Sequence, residues 1–404
     1  MTDMLQTIFH RLLASLDIET KRYLYPSFKL DNRLIGLSGP RGVGKTTMLL
    51  QFIRETQDSY SVIYFSADNI YFSSNSLFDY VRQLYETEEI KLFFIDEAHK
   101  YKGWTQELKN IYDSFPDVTV VFSGSSSMDL IKGTYDLSRR GIMHHLHGLS
   151  FREYLNFSTG SNHPAVEFET LIAKRRQLAA EFAAIPRLKG HFQEYLKQGY
   201  YPFVFESGGG YYEKLGNVIE KTVHEDIASY YSLKTVNLHY FKLILHYLCT
   251  TPPGRINPHN LGKSLALDSK TALHYLKILQ ETGLVRLIYS DKKGSALIRK
   301  PAKVFVDNTS LLYMINETLG QKVNIGTVRE LFFINMVQNS GKKLFYSSDG
   351  GDFCCQEIVF EIGGRGKGSQ QIQNISDRQA FLVKDDTLHA SAQTIPLWLF
   401  GFLY

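Results

Sequence analysis

The stretch of sequence that decides the fold lies near the N-terminus and reads Gly39-Pro40-Arg41-Gly42-Val43-Gly44-Lys45-Thr46-Thr47. It fits the pattern G-x-x-x-x-G-K-[ST], which is typical of a phosphate-binding P-loop. Glycine lets the backbone adopt positive φ angles, so that its N–H groups can point at phosphate oxygens. The Lys45 ammonium is expected to reach the β- and γ-phosphates, and the Thr46 hydroxyl to bind Mg²⁺. The whole stretch is therefore predicted to bind nucleotide, with ATP and Mg²⁺ as the ligands.

The residues on either side of the P-loop support this interpretation. Residues 33–37 form a short apolar run that predicts a buried strand, and residues 47–54 predict a helix. This order directs the positive end of the helix dipole at the phosphates. The alternative is a chance glycine-rich turn, which has no reason to lie between a strand and a helix.

Further apolar runs predict a parallel sheet. They cover residues 61–65, 91–97, 118–122 and 142–147, and they alternate with helical segments. This alternation is typical of an α/β fold with helices on both faces of the sheet. Ligands of such folds bind at the carboxyl ends of the strands, where the polar residues of these runs occur. Before the P-loop, apolar residues from Leu5 to Leu16 repeat at helical spacing and predict a helix that packs on this domain.

Two acids end the third predicted strand and form a Walker-B pattern. Asp96 is expected to hold Mg²⁺ directly or through water, and Glu97 to act as general base for the attacking water. The alternative is a buried strand capped by solvated acids. Asp96-Glu97-Ala98-His99 also matches a helicase box, but a helicase needs a second domain with its own arginine motif, and the sequence contains none. After the fourth strand, Ser123 or Ser125 is a candidate sensor of the γ-phosphate.

The composition indicates a globular protein. Of 404 residues, 44% are hydrophobic and 21% are charged, which is ordinary for globular domains. No apolar run approaches the roughly 18 residues of a membrane helix, and no signal-peptide pattern begins the chain. The three cysteines have no metal-ligand spacing and form no disulfide framework. We therefore expect a cytoplasmic protein with no membrane partner.

Two predicted segments follow the sheet domain. Residues 148–235 are expected to form helices with polar interruptions, and they predict a helical lid. Residues 236–300 predict three helices and a β-wing, which is the winged-helix plan. The second segment holds ten Lys/Arg and three Asp/Glu, a net charge of +7 in a chain whose total is +4. A basic segment in a nearly neutral chain favours a polyanion as partner.

Five basic residues of this segment are the DNA-binding candidates. Lys270, His274 and Lys277 share one face of the third predicted helix, which is expected to enter a major groove. Lys292 and Lys293 lie at the tip of the predicted wing, where they are expected to contact phosphate. The predicted partner is double-stranded DNA, and the alternative is a winged helix that only contacts protein.

The last predicted domain has a nuclease-like arrangement of acids. Glu330 in a helix, Asp352 at a strand start and Glu361 at a strand end follow the order found in PD-(D/E)XK nucleases. Those nucleases carry a lysine two residues after the last acid, but Gly363 occupies that position here. Lys367 can substitute only if the glycine-rich loop folds back. Without a group that activates water, we expect a nuclease-like fold that does not cleave, and the alternative is an active metal-dependent nuclease.

Two arginines follow the fourth predicted strand. In oligomeric ATPases an arginine at about this place reaches the γ-phosphate of the neighbouring subunit, and such a finger is worth ~10³-fold or more in rate. Arg139 and Arg140 are the candidates. The alternative is a pair of solvated arginines.

Several stretches together resemble a bacterial and archaeal family of AAA-type P-loop ATPases. Besides the P-loop they are residues 94–100, Trp104, Tyr112-Asp113, and residues 123–126, 149–154 and 199–202. The resemblance covers almost the whole chain. Members of the family carry a winged helix and a C-terminal domain of uncharacterised function, distantly similar to restriction-endonuclease folds. In the family an arginine precedes the Leu-Ser-Phe motif at a fixed interval, which implies Arg140 rather than Arg139 as the finger.

The sequence therefore predicts a domain order and a function. The predicted domains are a P-loop ATPase domain (1–147), a helical lid (148–235), a winged helix (236–300) and a small α/β nuclease-like domain (301–404). The predicted function is an ATPase that drives or switches an action on DNA, with a homo-oligomer implied by the arginine finger. The alternatives are a nucleotide-dependent protein-interaction switch and a metal-dependent nuclease.

Overall fold

The computed structural model describes residues 2–16, 19–57, 61–124, 140–206, 208–228, 235–291, 301–348, 350–368, 370–373, 375 and 378–404. Ser125, Arg139, Lys292 and Lys293 lie outside these ranges. The chain divides into two compact units, Met1–Gly148 and Leu149–Tyr404. The four-part domain division stays a prediction.

The first unit is an α/β domain. Its strands are β1 (Leu34–Ser38), β2 (Val62–Ser66), β3 (Leu92–Asp96), β4 (Thr119–Gly124) and β5 (Ile142–His145). The α-helices among its described residues are α1 (Thr2–Ala14), α2 (Lys45–Thr56), α3 (Leu77–Glu88) and α4 (Trp104–Ser114).

The sheet of the first unit brings three strand ends together. All five strands are parallel, in the order β2-β3-β4-β1-β5. The register pairs Leu37 of β1 with Ser123 of β4, and Ile95 of β3 with Phe122 of β4. Because parallel strands end at the same edge, the P-loop after β1 and the acids after β3 lie on either side of the end of β4. The predicted α/β fold with a parallel sheet is confirmed.

Burial explains why these segments form the centre of the unit. Every residue of β1 and β3 is buried, as expected for parallel strands covered by helices on both faces. Helix α1 packs on β2 through buried Phe9, whose ring stacks on Tyr64 with 6.3 Å between the ring centroids.

The second unit contains more helices and two further sheets. Its α-helices are α5 (Phe151–Thr159), α6 (Phe168–Phe182), α7 (Leu188–Gln198), α8 (Tyr211–Lys221), α9 (Thr235–Thr250), α10 (Pro258–Leu265), α11 (Ser269–Glu281), α12 (Thr309–Thr318) and α13 (Ile325–Asn339). Its strands are β6 (Val285–Ile288), β7 (Lys303–Val306), β8 (Phe345–Tyr346), β9 (Phe353–Cys355), β10 (Ile358–Gly363), β11 (Ala380–Lys384) and β12 (Thr394–Pro396).

Helices α9 to α11 are followed by a two-stranded antiparallel sheet of β6 and β7. Helix α11 begins at the predicted cap, because the Asp268 carboxylate accepts the N–H groups of Lys270 and Thr271 at 2.9 and 3.0 Å. This is the element order of the predicted winged helix, although β7 lies beyond residue 300. The assignment as a winged helix stays a prediction.

The last sheet is mixed. Its order is β12-β11-β10-β9-β8, with β10, β11 and β12 parallel and β8, β9 and β10 antiparallel. The apolar segment Leu397–Phe402 forms a buried 3₁₀ helix. Phe402 stacks on Phe182 of α6 at 4.1 Å between ring centroids, so α6 and this C-terminal segment share a core. The small sheet domain predicted near the C-terminus is confirmed.

No helix among the described residues combines the length and the apolar character needed to cross a lipid bilayer. The predicted cytoplasmic location stays a prediction.

Candidate nucleotide-binding site

The P-loop connects β1 to α2 through a turn that needs glycine. Gly44 has φ of 91° and forms the N-cap of α2, a backbone conformation that other residues rarely adopt. A side chain at Gly39 would overlap the carbonyl oxygen of Leu146. The loop can therefore keep its backbone close to β5 and to a bound phosphate only with glycine at these positions.

The Lys45 side chain folds back into the P-loop and binds its backbone. Its side chain is buried, and its ammonium donates to the carbonyl oxygens of Gly39 and Pro40 at 2.9 and 3.1 Å. The ammonium therefore lies inside the ring of P-loop backbone, where it can exchange these carbonyls for phosphate oxygens by a small rotation.

Arg22 supports the P-loop, and sequence reasoning missed it. The guanidinium is buried and donates to the carbonyl oxygen of Val43 and, at 2.7 Å, to that of His147. It thus ties the P-loop to the segment after β5. Arg22 belongs to a short polar stretch without periodicity, so nothing in the sequence distinguishes it from a solvated arginine.

Asp96 accepts hydrogen bonds on both carboxylate oxygens. The hydroxyls of Thr46 and Tyr64 donate to Oδ2 at 2.6 and 2.8 Å. The Ser123 hydroxyl and the Glu97 N–H, the latter at 3.0 Å, donate to Oδ1. The predicted pair of Thr46 and Asp96 is therefore in contact. The predicted sensor Ser123 is also in contact with Asp96, and its role stays a prediction.

Glu97 has an unusual backbone and a side-chain oxygen without a hydrogen bond. Its φ and ψ are 52° and 35°, a left-handed conformation that costs free energy in a residue with a side chain and concentrates at functional sites. Among the described residues, the buried Oε2 atom has no hydrogen-bond partner. It lies 3.5 Å from Nε2 of His99. The Glu97 side chain as a whole is 26% exposed, so water can reach its carboxylate group.

Arg140 lies at the amino ends of the strands, whereas the P-loop lies at their carboxyl ends. It precedes β5, which runs parallel to β1, so it is at the amino end of the strands. At about 3.3 Å per residue, this end is roughly 20 Å from the P-loop, beyond the reach of an arginine side chain. The guanidinium binds both carboxylate oxygens of Asp113 at 3.1 and 3.2 Å. Arg140 therefore cannot act on the P-loop of its own chain.

Comparison with known proteins finds a family model that matches most of the first unit. Residues 31–155 match the model described as AAA domain. This part of the chain is therefore similar to AAA-type P-loop domains. Residues 189–322 match a domain of unknown function (DUF8612), which assigns no activity to that segment. Comparison with curated proteins finds no match.

Three solved structures are similar to parts of the chain at low identity. AMPPCP-bound DnaA from Aquifex aeolicus is 15% identical over 64% of this chain and 84% of its own, with a TM-score of 0.27. A DNA replication initiation factor is 14% identical over 69% and 88%, with a TM-score of 0.27. PCH-2 from C. elegans is 15% identical over 68% of both chains, with a TM-score of 0.24. TM-scores this low mean poor superposition, so no ligand or partner is transferred from these proteins.

The residues of the AAA domain fit ATP and Mg²⁺. Thr46 and Asp96 are oxygen ligands of the kind that Mg²⁺ prefers, and they already contact each other. The start of α2 directs backbone N–H groups at the position of the phosphates. The match to an AAA domain and this donor set together support an ATP-dependent P-loop ATPase.

The predicted DNA-binding face of α11 is exposed. The basic segment as a whole, however, has fewer unpaired Lys and Arg side chains than its composition suggests. Lys270, His274 and Lys277 are exposed. Arg286 is partly buried and paired with Asp307 at 2.9 Å, and Lys242 is paired with Glu220 at 2.6 Å. Part of the +7 charge is thus neutralised by acids from outside the segment, which the count along the sequence cannot include.

Two of the three acids with the nuclease-like arrangement form ion pairs with the same buried lysine. The ammonium of Lys303 in β7 lies 2.9 Å from Oε2 of Glu330 and 3.4 Å from Oδ1 of Asp352. Burial lowers the pKa of Lys303, but the charges of Glu330 and Asp352 outweigh this effect and raise it overall. Lys303 therefore remains protonated and forms an ion pair with each of the two acids. Sequence reasoning missed this lysine.

The third acid is paired with Lys367. Glu361 is fully buried, and the ammonium of Lys367 forms an ion pair with its Oε1 atom. A side chain at Gly363 would overlap that of Lys367, so the glycine leaves the space that the lysine fills. The condition under which Lys367 can substitute is therefore met, because the glycine-rich loop folds back and brings its ammonium to Glu361. The absence of cleavage stays a prediction. Burial raises the pKa of the Glu361 carboxyl.

Proposed function

We propose that this chain hydrolyses ATP at the P-loop edge of the AAA domain and couples hydrolysis to an action on double-stranded DNA. The observation that supports hydrolysis most directly is the contact of Thr46 with Asp96 beside Glu97. It combines a phosphate-binding loop, a metal-binding pair and a general base at one strand edge. The test is ATPase activity measured with and without duplex DNA.

Each residue of the edge has a distinct role in the proposed reaction. The P-loop N–H groups and the Lys45 ammonium bind and orient the phosphates. Thr46 and Asp96 would hold Mg²⁺, which supplies charge neutralisation at the phosphates when bound. Glu97 accepts the proton of the attacking water at its carboxylate. Ser123 holds Asp96 from the neighbouring strand, and its predicted sensing of the γ-phosphate is part of this proposal.

The exposed face of α11 supports DNA as the partner. Lys270 and Lys277 are separated by about two helical turns, so both can lie along one groove. His274 lies between them on the same face. Lys292 and Lys293 are the further candidates for phosphate contact in this proposal.

Replacing Lys270 and Lys277 together with glutamine is expected to weaken DNA binding and flatten its salt dependence. Each phosphate contact releases counterions, so the slope of log K against log salt should fall by about two. Binding of a duplex measured by fluorescence anisotropy at several salt concentrations gives both quantities.

A matched control removes two exposed lysines from another helix. Lys189 and Lys197 on α7 are exposed, and their replacement with glutamine changes the net charge equally. The proposal requires an unchanged salt slope in this control. Unchanged affinity and slope in the α11 variant would instead favour the protein-interaction switch, whose ATPase rate would not respond to DNA.

The C-terminal acids are proposed not to cut DNA. The supporting observation is Lys303, whose ammonium lies between Glu330 and Asp352, where a divalent ion would have to bind. Among the described residues, no group of three or more His, Cys, Asp or Glu side chains could hold a metal ion.

Plasmid DNA incubated with the natural protein and Mg²⁺ or Mn²⁺ is therefore expected to stay intact. The reason is that an internal ammonium already satisfies the acids, so metal binding would require it to leave a buried site. Nicking of supercoiled plasmid on agarose gels measures this. Cleavage that disappears in Asp352→Ala would establish the metal-dependent nuclease instead.

A further inference from the structure

The hydroxyl of Tyr64 contacts the candidate metal site, although Tyr64 belongs neither to the P-loop nor to the Walker-B pattern. Tyr64 is in the middle of β2, buried to 4% exposure, and its hydroxyl donates to Oδ2 of Asp96 at 2.8 Å. The register pairs Tyr64 with Phe94, two residues before Asp96, so the side chain extends along the strand to reach the carboxylate. Phe9 of α1 stacks on the ring with an interplanar angle of 30° and limits its movement.

The hydroxyl is not needed to fill the core. Phenylalanine would make the same ring contacts, whereas a buried hydroxyl requires a hydrogen-bond partner. The partner is the same oxygen that accepts the proton of Thr46. Because an ionised carboxylate can only accept, the Tyr64 hydroxyl is the donor in this contact.

Tyr64 restricts the rotation of the Asp96 carboxylate. With the Tyr64 hydroxyl on Oδ2 and the Ser123 hydroxyl on Oδ1, rotation of the carboxylate breaks contacts on both sides. The Thr46 hydroxyl must then keep its proton directed at Asp96. Its lone pairs remain directed away from the carboxylate, where they can bind a cation.

We infer that Tyr64 is a positioning residue that pre-organises Thr46 and Asp96 for the metal ion of bound nucleotide. The inference rests on the proposed function and adds a residue from β2 to it. Tyr64 acts through Asp96, because its hydroxyl donates to the carboxylate of that residue. Partners of this kind commonly account for 10–100-fold in metal affinity or activity.

The test is Tyr64→Phe in the full chain, measured first by binding. AMPPNP affinity is determined by calorimetry in EDTA and in Mg²⁺. The affinity in EDTA is expected to equal that of the natural protein, and the gain in affinity from Mg²⁺ to shrink about tenfold. In ATPase assays the Mg²⁺ concentration for half-maximal rate should rise about tenfold, with the rate at saturating Mg²⁺ little changed.

Tyr80→Phe is the matched control. The Tyr80 hydroxyl is also buried in the first unit, but it has no hydrogen-bond partner among the described residues. Its removal should leave the Mg²⁺ dependence unchanged. A second variant, Phe9→Leu, removes the ring that packs on Tyr64 but keeps the hydroxyl, and it should weaken the Mg²⁺ effect by less than Tyr64→Phe does. It decides the question if Tyr64→Phe does not fold.

The outcomes separate this inference from the proposed function. If Tyr64→Phe shows the Mg²⁺ dependence of the natural protein, or loses affinity equally with and without Mg²⁺, the inference is wrong. The proposal that the chain hydrolyses ATP is not affected by that result. If the natural protein neither binds AMPPNP nor hydrolyses ATP, the proposed function itself fails.

Discussion

Replacing Glu97 with glutamine is expected to lower ATP hydrolysis by about 10²–10⁴-fold while ATP still binds. Glutamine has the same shape, so packing around the site is kept, but its amide cannot accept a proton from water. The Glu97 side chain is 26% exposed at the carboxyl end of β3, so the change is made where water can reach the carboxylate. The left-handed backbone of Glu97 turns the residue out of the line of β3, a conformation whose free-energy cost suggests a functional reason.

Two measurements are needed for this variant. A fluorescent ATP analogue reports binding, and phosphate release reports hydrolysis. Lys45→Ala provides the opposite pattern, because loss of the buried ammonium should abolish nucleotide binding itself. Glu86→Gln makes the same chemical change at an exposed position of α3 and should affect neither quantity. Hydrolysis at the natural rate in Glu97→Gln would show that another group is the base.

Replacing Arg140 with alanine is expected to lower hydrolysis by ~10³-fold without changing nucleotide affinity. The physical reason is its location at the amino ends of the strands, roughly 20 Å along the sheet from its own P-loop. A guanidinium there can stabilise charge on a γ-phosphate only if that phosphate belongs to another subunit. The bidentate pair with Asp113 holds the guanidinium at the surface of the sheet edge, where its side chain is 27% exposed.

Mixing two inactive variants tests whether the arginine acts between subunits. Arg140→Ala keeps Glu97, and Glu97→Gln keeps Arg140, so a head-to-tail contact between the two variants completes one site. At equal amounts, about a quarter of such contacts should be active, because these interfaces join unlike surfaces. Steady-state phosphate release from the mixture measures the recovery.

Arg82→Ala is the control for this experiment. Arg82 is a partly exposed arginine of α3 that pairs with Asp79 at 2.9 Å, and its loss should not affect hydrolysis. A protein that stays monomeric with ATP and still hydrolyses it at the full rate would exclude a trans-acting arginine.

Much of the sheet domain could be predicted from the sequence because its signals are local. The run at residues 91–97 predicted β3, which covers Leu92–Asp96, and the boundaries of β1 and β2 differ from prediction by one residue. Strand β12 was missed because its three residues, Thr394–Pro396, are too few to show a period. The position of the glycine-rich loop could not be predicted, because the sequence shows the conformational freedom of the loop but not the space that Gly363 leaves for Lys367.

The sequence by itself determined the P-loop, the acid pair and the order of the elements. These depend on a few neighbouring residues, since glycine torsion angles and apolar runs are properties of short segments. Only the tertiary structure decided which groups surround them. Asp96 is bound by Tyr64 from 32 residues earlier and by Ser123 from 27 residues later, because β3 lies between β2 and β4. In the second unit, Lys303 forms ion pairs with two acids, and Asp307 forms one with Arg286. Hydrogen bonds and ion pairs act over a few ångströms in space, so their partners are set by which elements pack together and not by distance along the chain.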